Sequence, residues 1–272
     1  MKLHNTKLIF LFFYLDNVCI MALHAVQGSV SLNTISEGAV CTQVYAVVIT
    51  LVMLFASLFR ELKYMSFLGA FAASTMLVCI ILAMIFSGVQ GLPANHTEGP
   101  IIIRPWAAPG TTGLSGVISG TNAVLNILYT YVGHILVPSF IADMKEPKDF
   151  PKALYVSITA EIILFSLAGG IIYSQIGEAD MTSPAYGSLI AKYKKAIAAF
   201  VLPTVIIVGS VYCIITARTI FSRFFSFNSV HRRAHTIKGW GSWSLIVLTL
   251  WIIAYVSCYN NFYSFSCLCL II

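Results

Sequence analysis

Seven apolar runs divide the chain, roughly 8–26, 39–59, 64–87, 111–142, 153–176, 196–216 and 241–262. Each is close to or above the ~20 residues a helix needs to cross the hydrocarbon core of a bilayer. The second, third and sixth contain no charged residue. Lipid offers no water to an exposed N–H or C=O, so a spanning segment must satisfy its backbone internally, and runs of this length do so as helices. Only 10% of the residues are charged and 58% are hydrophobic, against about 25% charged in soluble domains. The expectation is an all-α polytopic membrane helix bundle of about seven spans, forming a single transmembrane domain over 1–272. Lys2 and Lys7 precede the first run, but Asp16 lies inside it and its length suits a span better than a cleaved leader.

The basic residues orient the bundle. With the N-terminus in the cytosol, the cytosolic segments carry Lys2 and Lys7, Arg60 and Lys63, then Lys145, Lys148 and Lys152. The last of them carries Arg218, Arg223, Arg232, Arg233 and Lys238. The opposite side keeps only Arg104, Lys192, Lys194 and Lys195. That bias is the positive-inside pattern, and it accounts for the net charge of +6 without nucleic acid as a partner. The outer segment after the third run is rich in proline and holds a glycosylation triplet at Asn95. None of the seven cysteines forms a CxxC pair and most sit in apolar runs, so neither a metal site, a disulfide framework nor a cofactor is expected.

The fourth run is too long for one straight crossing and is punctuated by Gly133 and Pro138. Membrane helices tolerate such breaks where neighbours or cavity water satisfy the freed backbone groups. Interrupted helices of this kind build substrate sites near the midplane, half-helix ends meeting a carboxylate or a cation. Asn126, Tyr129, Thr130, Tyr131, Gly133 and His134 are the candidate substrate-binding residues. The competing reading is a kinked helix whose polar groups are satisfied internally.

Ionisable groups inside spans are costly and mark function or pairing. Glu161 and His134 are candidates for proton coupling, and Asp16 is weighed in the same way. A neutral side chain bonded to a neighbour is the structural alternative for each. Ser210 and Thr216 are candidates for lining an ion or substrate path, or simply for letting helices approach closely. The elbow Asp143–Lys152, with Pro147 and Pro151, reads as a loop of alternating charge or as a hinge between two helices. Gly113-Leu114-Ser115-Gly116 matches a short signature of intramembrane serine proteases. No histidine is well placed on another helix to activate Ser115, so the enzyme reading is set aside.

The stretch NILYTYVGHILVPSFIADMKEPKDFPKAL resembles the amino acid/auxin permease family, in particular its fungal neutral amino acid permease branch. EIILFSLAGGIIYSQIGEADMTSPAYGSL and SVYCIITARTIFSRFF continue the similarity, as do SLNTIS and FRELKYMSFLG earlier. The resemblance implies a partial five-plus-five inverted-repeat transporter fold, with the seven runs at its third to ninth spans. It implies a secondary active transporter of neutral amino acids, proton-coupled and working by alternating access, in the plasma or vacuolar membrane. Two spans before the first run and an acidic helix after the last are then absent, as in a chain truncated at both ends. The alternative is a non-transporting remnant or a regulatory membrane protein.

Overall fold

The computed structural model describes residues 2–59, 63–92, 96, 101, 103, 114–131, 133, 136–182, 184–225 and 236–265. Among these the secondary structure is helical. The helices are α1 (Lys2–Ile35), α2 (Thr42–Ser57), α3 (Lys63–Val89), α4 (Leu114–Thr130), α5 (Val137–Asp143), α6 (Phe150–Ile176), α7 (Ala191–Phe224) and α8 (Ile237–Phe265). Five helical segments, Phe10–Ile35, Phe67–Val89, Pro147–Ile176, Ala191–Phe224 and Ile237–Ser257, are long and apolar enough to cross a membrane. Thr42–Ser57 is a shorter apolar helix. This is the all-α polytopic bundle that the apolar runs demand.

Helix ends follow local chemistry. α1 continues to Ile35, past Val26 where the apolar run stops. In its polar extension Ser29 and Thr34 donate their hydroxyls to the Val26 and Val30 carbonyls, so these polar groups are satisfied within the helix. Proline opens α5 and α6, where its missing N–H costs nothing. Gly177 closes α6 with φ of 80°, a conformation that suits glycine, and its N–H reaches the Tyr173 carbonyl at 2.9 Å. The elbow after α5 contains a 3-10 turn at Pro147–Asp149, and Lys152 pairs with Asp149 at 2.9 Å.

The chain divides into two compact units, and the boundaries fall within α3 and α7. Unit 1 holds residues 1–75 and 201–265. There α1 packs on α2 and α8, and α2 packs on α8. Met21, Ile49, Met53, Ile214, Trp243, Val247 and Trp251 are fully buried. Trp251 Nε1 donates to Ser57 Oγ at 3.2 Å, and Ser57 passes its own proton to the Met53 carbonyl at 2.7 Å. Gly209 lets α7 approach closely: a Cβ there would lie 3.0 Å from His24 Cβ and 3.2 Å from the Met53 sulfur.

Unit 2 holds residues 76–200. α6 is mostly exposed along its length, with Tyr155, Val156, Ile163 and Leu167 all open. Exposed apolar side chains suit a lipid solvent.

Candidate functional site

The fourth apolar run is two helices. α4 stops at Thr130, and α5 does not begin until Val137. Tyr131 N–H bonds the Leu128 carbonyl at 3.1 Å, tightening the last turn of α4 into 3-10 geometry. Gly133 and Leu136 have 3-10 backbone, and Pro138 sits in the first turn of α5. Among the described residues, a Cβ added at Gly133 would meet nothing within 4 Å.

The candidate residues distribute around this break. Asn126, Tyr129 and Thr130 belong to the last turns of α4, with Thr130 exposed. The side chains of Asn126 and Tyr129 lie outside the described set, as do His134 and Asn95 entirely. Tyr131 is half-buried in the break, and its ring meets Phe165 of α6 edge-on, with centroids 6.3 Å apart and planes at 74°. Glu161 stands one helical turn before Phe165. Residues four apart share a helix face, so Glu161 lies on the side of α6 that meets the break. Glu161 is half-buried as a residue, but its carboxylate accepts from Ser157 Oγ at 3.3 Å at an exposed position, a long bond within its own helix.

Ser210 and Thr216 belong to unit 1. Both are fully buried. Ser210 Oγ reaches the Ile206 and Met53 carbonyls at 2.8 and 3.3 Å, and Thr216 Oγ1 donates to Tyr212 O at 2.7 Å. Asp16 is exposed; its neighbour Asn17 is the buried residue, donating to the Phe13 carbonyl at 2.7 Å while its Oδ1 has no hydrogen-bond partner among the described residues. His24 was not singled out in the sequence. Its Nδ1 lies 2.8 Å from the Ile20 carbonyl, so that nitrogen carries the proton, and its ring packs near Tyr212. Thr75 and Thr204 also escape the sequence reading: their hydroxyls meet at 2.8 Å and both reach the Ala72 carbonyl. A polar residue every few turns in an apolar run was the available signal for both.

A family profile described as transmembrane amino acid transporter protein matches residues 2–179, from α1 through the break and α6 to the turn beyond it. The chain belongs to the transmembrane amino acid transporter family. Its relatives are transporters, and the enzyme reading falls with that membership. The N amino acid transport system protein of Neurospora crassa is 27% identical over 257 residues, covering 91% of this chain and 53% of that protein. A transmembrane transporter of Gibberella moniliformis is 27% identical over 88% of this chain and 49% of its own length. One of Fusarium pseudograminearum is 23% identical, over 84% and 47%. The transporter chain thus spans about half the length of the curated relatives it matches. No solved structure matches it.

Proposed function

We propose that the chain forms the substrate-bearing part of a secondary carrier that moves a neutral amino acid together with a proton by alternating access. The fold expected from the family resemblance, part of a five-plus-five inverted repeat, supplies the frame. The observation that carries the reading is the break at 131–136 with Tyr131 against Phe165 and Glu161 one turn away on α6. A broken helix offers backbone donors and acceptors to the two ends of a zwitterion. Asn126, Tyr129, Thr130 and Tyr131 would shape the pocket, with Gly133 leaving room and His134 beside it. Glu161, or His134, would take the proton. Ser210 and Thr216 remain proposals for lining a path. The positive-inside bias puts the N-terminus in the cytosol, in the plasma or vacuolar membrane, with Asn95 on the outer side as a glycan acceptor.

Uptake of labelled neutral amino acids into proteoliposomes, driven by an imposed proton gradient, tests this. Tyr131→Ala is expected to lower uptake at least about tenfold, the loss of ~1.4 kcal/mol of binding. Glu161→Gln is expected to flatten its pH dependence, and unchanged dependence would remove Glu161 from the coupling. The alternative reading is a membrane protein that does not transport alone. Uptake that appears only when the chain is joined to the remaining half of a relative would decide for it.

A further inference from the structure

A half-buried histidine–carboxylate pair ties together two connections of unit 2. His96 Nδ1 lies 2.8 Å from Asp180 Oδ2, and the two side chains are 13% and 8% exposed. His96 belongs to the connection between α3 and α4, and Asp180 to the connection between α6 and α7. The site of Asp180 is prebuilt. Ser188 Oγ donates to the Asp180 carbonyl at 2.7 Å and accepts the Thr182 N–H at 2.9 Å. Thr182 Oγ1 donates to the Pro184 carbonyl at 3.0 Å. The same connection is held to the end of α3 by contacts that carry no charge near neutrality. Ile190 N–H donates to Gln90 Oε1 at 3.0 Å, and Phe86 stacks on Tyr193 with centroids 4.4 Å apart. Among these links, the one whose charge changes between acid and neutral solution is His96 with Asp180.

A carboxylate only accepts, and a neutral imidazole has one N–H to offer. Protonation turns that hydrogen bond into an ion pair, and enclosure of both groups limits its screening by water. We propose that His96 and Asp180 form a pH-sensitive clasp that holds the α3–α4 connection to the α6–α7 connection in acid and loosens as the pH rises. The sign follows from linkage. A histidine that gains a carboxylate partner stabilises the closed state fully in acid, and that contribution is lost as the pH rises through the histidine range. Charged groups on the elements it joins are Glu178 beside Asp180 and Lys192, Lys194 and Lys195 at the start of α7. The last turns of α3 carry none, and Glu98 and Arg104 lie outside the described residues. That the clasp faces the outer side rests on the proposed orientation; the clasp itself does not.

Hydrogen exchange of the full chain in lipid nanodiscs tests it, at about pH 5.5 and about pH 8, either side of the histidine range. Rates are corrected for intrinsic chemistry. Amides of 177–190 are expected to exchange several-fold more slowly in acid. His96→Gln is expected to abolish the difference. His96→Lys, which keeps a cation opposite Asp180, is expected to hold exchange slow at both pH values. Equal wild-type exchange at the two pH values would overturn the clasp, and so would a difference that survives in His96→Gln. Should His96→Gln fail to fold, the wild-type comparison and His96→Lys still decide. None of these readouts needs transport, so a chain that carries no amino acid leaves the test intact.

Discussion

α1 and α6 are both long and apolar enough to span a bilayer, yet they are held in different ways. A third of the spanning window of α1 is buried within the protein, against 11% for α6. α1 lies in unit 1 against α2 and α8, where two tryptophans and two methionines fill the interior. α6, in unit 2, turns most of its side chains outward and still carries Glu161 and the ring that meets the break. In water that much exposed apolar surface would be a liability. In lipid it costs little, because the tails are as apolar as the side chains. Apolar burial therefore distinguishes the helices that pack on protein from those that turn outward.

The contrast is open to breaking by substitution, and the largest effect is expected at Trp251. Trp251→Ala removes a fully buried indole and its bond to Ser57, and should cost ~3–5 kcal/mol of unfolding free energy. Ile163→Ala on the open face of α6 should stay within about 0.5 kcal/mol. Reversible unfolding in mixed micelles measures both, and equal losses would dissolve the distinction. Next comes Gly209→Ala, whose methyl would press on His24 and Met53 and cost ~1–3 kcal/mol by overpacking. Its counterpart Gly169→Ala on α6 meets nothing within 4 Å and should be neutral, or stabilising by up to about 1 kcal/mol through helix propensity. The smallest effect is sought at serine. Ser57→Ala removes the buried hydroxyl that accepts the Trp251 N–H and should cost ~1–2 kcal/mol. Ser174→Ala, whose hydroxyl serves only its own helix on an exposed face, should not shift the transition measurably.

Much of the helical frame was legible because apolar length is a one-dimensional property. The interruption near Gly133 was legible too, since glycine and proline act on the local backbone. The polar extension of α1 was less so. In QGSVSLNT only Val30 and Leu32 are strongly apolar, too few to announce a buried helix, and Gly28 against Ile49 is a contact between two elements. At the candidate site, Tyr131 and Glu161 were singled out separately, but the α6 face that joins them through Phe165 was not. Asp16 drew attention because it is charged, while the enclosed side chain is Asn17. A 100° step per residue separates their faces, and no feature of a single run tells which face meets a neighbour.

By itself the sequence determined that the chain must live in lipid as helices, that one of them snaps, and which family it resembles. Those follow from composition, from backbone chemistry along the chain, and from local motifs. Only the tertiary structure decided which polar groups are enclosed and with whom they pair. His96 and Asp180 stand 84 residues apart in sequence and 2.8 Å apart in space. No local propensity encodes such a meeting. It exists because the fold of unit 2 brings the two connections together.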